Sequence, residues 1–139
     1  MVHVGTIVTG LVVLTVCGVI VFWRGGRLER LVALIGFVCW SGAAAGQLLT
    51  GSNLVPVVLA DLALAVALLV LILRHHRPWL YALFAVEAVR LLLHALYFQS
   101  HLPPTTGYRL ANNVTSYLCL AIVVAASLWP KPKPAPPAA

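Results

Sequence analysis

The stretch LVPVVLADLALAVALLVLIL, residues 54–73, decides the fold. It is a near-continuous apolar run carrying one charge, Asp61. A helix needs about 20 such residues to cross the roughly 30 Å hydrocarbon core of a bilayer. Working outward, the same length of apolar sequence recurs at Val4 to Trp23, Leu31 to Thr50, Trp79 to Phe98 and Leu110 to Trp129. Backbone N–H and C=O groups find no partner in lipid, and a helix pairs them internally. The expected fold is therefore all-α, an integral membrane bundle of five transmembrane helices.

Composition points the same way. The chain of 139 residues is 62% apolar and 9% charged, with a mean hydropathy of +1.01. A soluble domain carries roughly a quarter of its residues as charges, and this chain lacks the polar side chains to cover a wetted surface. Lipid is the expected solvent and the bilayer the expected partner, in the plasma (bacterial inner) membrane. The net charge of +6 does not indicate nucleic acid, because the basic residues lie in short stretches between apolar runs. In such stretches positive charge sets membrane orientation. Cys17, Cys39 and Cys119 all fall inside apolar runs with no close cysteine partner and read as small apolar side chains. The N-terminal MVHVGT has no positive region ahead of its apolar run, so that run is expected to remain as a helix of the mature chain. No lipidation motif is expected either.

The breaks between runs carry turn chemistry. Arg24-Gly25-Gly26-Arg27, Gly51-Ser52-Asn53 and Arg74-His75-His76-Arg77-Pro78 join successive helices, and Gln99 to Arg109 makes the longest connection. Pro56 and Pro78 suit helix starts, where a missing N–H costs little. Residues 1–129 form the expected transmembrane domain, and the proline-rich 130–139 an extended, disordered tail. With five crossings, Arg24, Arg27, Arg30, Arg74, Arg77, Lys131 and Lys133 fall on one side and Arg109 alone on the other. That asymmetry predicts an N-terminus outside and a C-terminus in the cytoplasm. Trp23, Trp79, Tyr81 and Trp129 at the inner ends, with Tyr97 and Tyr108 at the outer, agree with interfacial belts.

Ionisable residues inside a span are costly and must face protein or water. Asp61 lies in the third helix, and Glu87, Arg90 and His94 share one face of the fourth. From the helical rise, His94 is roughly 6 Å, Asp61 roughly 10 Å, Arg90 roughly 12 Å and Glu87 roughly 16 Å from the outer ends. The third and fourth helices should be antiparallel neighbours, which makes Asp61 and Arg90 a candidate ion pair. Gln47, Asn112, Asn113, Ser116 and Tyr117 fall in the same outer half, with His94 expected to look toward Asn113 and Ser116. The cluster reads either as structural glue or as a polar site. Gly42 and Gly46 form a GxxxG pair, with Ala63 and Ala67 at the same spacing on the third helix. Such small residues let helices approach within the bundle, in a homo-oligomer or against a partner subunit.

Other chemistry finds little support. A membrane haem needs two inward histidines, and only His94 qualifies. Ser116, His94 and Asp61 lie near one depth, but no oxyanion-hole element accompanies them. Asn113-Val114-Thr115 is a glycosylation sequon too close to the membrane to be modified. No catalytic residue, cofactor or metal site is expected.

In its order of elements the chain resembles a set of small polytopic bacterial membrane proteins. The likeness rests on an ERLVAL start to the second helix (Glu29 to Leu34), Asp61 in an alanine- and leucine-rich helix, and the Arg77 to Trp79 entry. His94 and the SYL of Ser116 to Leu118 complete it. The resemblance implies a multi-pass membrane protein and carries no role to any residue. The expected function is an accessory or structural subunit of a larger membrane complex. The alternatives are a small transporter or channel component with a polar site in the outer half, and an intramembrane enzyme or cofactor carrier.

Overall fold

A computed structural model describes residues 4–50, 54–100 and 106–129. Gly51-Ser52-Asn53, Pro103-Pro104 and the tail from Pro130 lie outside them. Within the described residues the chain is all-helical: α1 (Val4–Arg24), α2 (Arg27–Thr50), α3 (Val55–His75), α4 (Pro78–Ser100) and α5 (Thr106–Leu128). Helices α2, α3, α4 and α5 are each long and apolar enough to cross a membrane, and Val8–Arg24 within α1 is a shorter apolar helix.

The helix ends follow from local chemistry. Only Gly25 and Gly26 separate α1 from α2, and Gly25 donates to the carbonyl of Val21 at 2.7 Å. That approach leaves no room for a side chain, since an added Cβ would also press on Val21 Cγ1 at 3.2 Å. At the end of α3, His76 adopts the left-handed conformation (φ 46°, ψ 40°) and its N–H caps the carbonyl of Ile72. Histidine tolerates this region better than most residues, and its Nδ1 lies 3.2 Å from the Tyr81 hydroxyl one turn into α4. Pro56 and Pro78 do sit in the first turns of α3 and α4.

Two helices begin earlier than the apolar runs suggest. α2 starts at Arg27 rather than Leu31, and α5 at Thr106 rather than Leu110. In both cases a polar turn extends the helix beyond its apolar stretch. Glu29 in the first turn of α2 complements the positive end of the helix dipole. The extra turn of α5 brings Tyr108 into the bundle.

Successive helices pack side by side, α1 on α2, α2 on α3, α3 on α4 and α4 on α5, while α5 returns to α1 and also approaches α2. The apolar core occupies one half of this ring: Val21, Val32, Leu64, Leu68, Leu71, Leu80, Leu83 and Val123 are buried there. They come from the end of α1, the start of α2, the end of α3, the start of α4 and the end of α5, which is one end of an up-and-down bundle. The opposite half buries Asp61, Glu87, Arg90 and His94. Outward faces are apolar, with Val12, Val38, Leu59, Leu73, Leu92 and Leu110 all more than half exposed.

The two glycines of the GxxxG pair face different surroundings. Gly46 abuts the ring of Pro56 on α3, whereas Gly42 is exposed and has no atom within 4 Å of where a Cβ would stand. On α3 the packing expected of Ala63 and Ala67 falls to others: Ala63 is exposed and Ala67 half-buried, while Ala60 and Ala65 are buried. The helix turns Asp61, Leu64 and Leu68 inward, and Ala63 lies off that face.

These positions separate by mutation. In Gly46→Ala the new Cβ would lie 2.8 Å from Pro56 Cβ, and a proline ring cannot rotate away. Overpacking of this kind costs about 1–3 kcal/mol, so the variant should melt earlier in detergent. Gly42→Ala should melt no lower than the parent. Equal destabilisation by both would contradict the packing described.

Candidate functional site: a buried charge network beneath a polar cleft

The spacing of Glu87, Arg90 and His94 puts all three side chains on the face of α4 that looks into the bundle. Each is buried to 2% exposure or less, as is Asp61 on α3. Arg90 is the hub. Its Nη2 pairs with Asp61 Oδ1, and its Nη1 donates to Glu87 Oε2 at 3.2 Å. The guanidinium also lies over the Trp40 ring of α2, 5.7 Å from the centroid, within cation–π range. One cation thereby ties together α2, α3 and α4.

The second carboxylate oxygen of Asp61 carries the network to α5. Asp61 Oδ2 lies 2.8 Å from His94 Nε2, and His94 Nδ1 lies 2.5 Å from the Tyr108 hydroxyl. With its proton on Nε2, His94 donates to Asp61 and accepts from Tyr108. Tyr97 stacks on Tyr108 at 4.4 Å between centroids and fixes the phenol ring. A chain of hydrogen bonds thus runs Tyr108–His94–Asp61–Arg90–Glu87, ending at the Cys119 thiol 3.8 Å from Glu87 Oε2.

Charge counting constrains this chain. Two carboxylates face one guanidinium, so the cluster is neutral only with one further proton on His94 or a carboxyl group. Net charge buried in a low-dielectric interior is strongly disfavoured.

Beside it opens a cleft of about 150 Å³. Gln47 of α2, Asp61, Arg90 and Asn112, Asn113, Ser116 and Tyr117 of α5 line it, with Gly10 and Leu11 of α1 and Trp40 of α2. Glu87 and His94 do not line the cleft. Three buried polar atoms of its lining have no hydrogen-bond partner: Trp40 Nε1, Arg90 Nε and Asn112 Oδ1. An unsatisfied buried polar group costs about 1–3 kcal/mol, and three of them belong to residues that line this one opening. The hydroxyls do not serve them, since Ser116 Oγ donates to the Asn112 carbonyl at 2.8 Å and Thr115 Oγ1 to the Ala111 carbonyl at 3.0 Å.

Several expectations need correction. His94 looks to Asp61 and Tyr108, not to Asn113 and Ser116. The trio of Ser116, His94 and Asp61 does not assemble: His94 does meet Asp61, but its other ring nitrogen is engaged by Tyr108 and Ser116 binds its own helix. Tyr108 and Trp40 were not legible as site residues, the first reading as an interfacial anchor and the second carrying no signal of its own. The helical spacing of Tyr108, Asn112, Ser116 and Cys119 is the signal that finds Tyr108.

The geometry sets an order of mutational costs. Arg90→Leu strands two carboxylates and should cost about 3–5 kcal/mol, the range for breaking a buried pair. Asp61→Leu leaves Arg90 its Glu87 partner and should cost less. Glu87→Gln keeps an acceptor for Arg90 and should cost least, about 1.5 kcal/mol. Thermal melts in detergent should give this order, with the Asp61→Leu/Arg90→Leu double variant milder than the sum of its parts. Strict additivity would show that the two side chains do not meet.

Set against protein-family models, curated proteins and solved structures, the chain matches none of them.

Proposed function

We propose that the chain is a multi-pass protein of the plasma membrane that binds a small guest in the polar cleft, as a transporter or channel component. The observation that carries this reading is the set of three unpartnered polar atoms, Trp40 Nε1, Arg90 Nε and Asn112 Oδ1, around one opening. A structural staple needs the Asp61–Arg90 pair but gains nothing from orphaned donors and an orphaned acceptor beside it. The apolar outward faces and the four long apolar helices support insertion in a bilayer. The loop charges support five crossings, with the N-terminus outside and the C-terminus cytoplasmic. In that orientation the cleft belongs to the outer half of the membrane.

One observation favours a second reading, the accessory subunit. Gly42 presents an open, small-residue surface, the kind of face against which another membrane helix packs closely. A second copy or a different subunit would fit there, and Gly42→Leu would then break the association without unfolding the chain.

Thiol labelling tests the first reading and the orientation together, after Cys17, Cys39 and Cys119 are replaced. In intact cells a small membrane-impermeant reagent should label Asn113→Cys, in the cleft, and Gln99→Cys, on an exposed turn, but not Arg77→Cys. Protection of Asn113→Cys beside a labelled Gln99→Cys would make the cluster dry glue and leave the accessory subunit as the better reading. Labelling of Arg77→Cys alone would reverse the orientation.

A further inference from the structure

Below the cleft lies a second cavity, and the two share a wall. It measures about 280 Å³ and runs between α1, α2 and α5 into the apolar half of the bundle. Leu14 and Gly18 of α1, Gly36 and Phe37 of α2, and Leu120 and Val124 of α5 are among the residues that line it. Thr15 also lines it, but its hydroxyl donates to the Leu11 carbonyl at 2.8 Å. Trp40 borders both spaces. Its indole N–H has no partner.

Three residues that line the upper space, Arg90, Trp40 and Asn112, thus each hold a buried polar atom without a partner, and the lower space is lined almost wholly by apolar side chains. We propose that together they form one binding site for a single-chain lipid with an uncharged hydroxyl or carbonyl head. The inference rests on the reading of the cleft as a binding site and names the class of guest. The head oxygen accepts from Arg90 Nε and Trp40 Nε1, and a head hydroxyl donates to Asn112 Oδ1. The chain runs past the indole into the lower cavity.

Charge selects the head. The positive charge of Arg90 is already met by Asp61 and Glu87, so an anionic head would face two carboxylates for one guanidinium. A cationic ammonium head has no lone pair with which to accept from the Arg90 and Trp40 N–H groups. Only an uncharged group takes the free Nε–H without unbalancing the network. Size selects the tail. The combined space sits near the lower end of the roughly 300–1,000 Å³ that accommodates a drug-sized molecule, which suits one hydrocarbon chain and not two. An apolar cavity does not hold water, and in a bilayer the filler at hand is hydrocarbon. Gly18 and Gly36 have open space where a Cβ would stand, so larger residues there grow into the cavity without striking a neighbour.

Photo-crosslinking tests the assignment. The full chain is placed in phosphatidylcholine nanodiscs with a hexadecanol probe carrying a diazirine in its chain, and the adducts are mapped by mass spectrometry. Adducts should concentrate on the cavity-lining residues of α2 and α5, near Gly36 and Leu120. Gly36→Leu and, independently, Gly18→Leu should lower their yield by about tenfold or more. Unlabelled hexadecanol should displace the probe at about one tenth the concentration of hexadecyl phosphate or less. Adducts spread over outward residues such as Val38 and Leu62, or a yield unchanged in both variants, would overturn the proposal. So would equal competition by the phosphate. Water access to Asn113→Cys separates the two failures: with that site labelled and the adducts scattered, the cleft stands and the lipid falls. With Asn113→Cys protected from water in lipid-free micelles as well, the cleft reading itself falls.

Discussion

A charge buried where neither water nor lipid can solvate it must be answered by another charge, and Arg90 is where that constraint acts in this bundle. The guanidinium has five donors in a fixed plane. Asp61 takes one edge and Glu87 another, while Trp40 covers a face. Each partner comes from a set direction, so the positions of α2 and α3 around α4 are tied to one side chain. Asp61 then passes the constraint to α5 through His94 and Tyr108. The apolar half of the bundle has no comparable directional bond. It packs by shape, through Leu64, Leu68, Leu80 and Leu83, and shape alone would tolerate several helix arrangements. The polar half supplies the specificity that the apolar half lacks.

The same directionality leaves something over. A guanidinium held by its two Nη groups leaves its Nε–H over, and here that group has no partner and belongs to a residue that lines the cleft. Trp40, whose ring lies within cation–π range of the guanidinium, and Asn112 of α5 line the same opening, each with a buried polar atom left unpartnered. These groups are unpaired because the network fixes where they point. A site arises as a consequence of the fold's strongest interaction. Below it the bundle departs from close packing where α1, α2 and α5 meet around Gly18 and Gly36.

Much of this was legible in the apolar runs. Their length marked five helices, and the short glycine and proline breaks made neighbours of consecutive ones. Periodicity placed Glu87, Arg90 and His94 on one face, and helix rise brought Asp61 to the depth of Arg90. What escaped had a common cause. Hydropathy ends a helix where apolar residues stop, so the polar first turns of α2 and α5 read as loop, and Tyr108 was lost with one of them. Depth along a helix says nothing about azimuth, so Ser116 and Asn113 looked like partners for His94 when they face the cleft. Ala63 is exposed and Ala67 half-buried for the same reason, since spacing alone does not set which side of α3 turns inward. Nothing in the sequence around Trp40 marks it, and only the placement of its ring against Arg90 and its unpartnered, buried indole N–H bring it into the site.

The most direct test is the nitrogen-detected NMR spectrum of the Arg90 side chain in nanodiscs, assigned by its loss in Arg90→Lys. A guanidinium clamped between Asp61 and Glu87 rotates slowly. It should give resolved Nη–H signals that resist exchange with deuterated water, beside an Nε–H signal that exchanges through the cleft. A single averaged Nη line with fast exchange at every nitrogen would mean that Arg90 is unpaired, and the account of both the bundle and its site would fail.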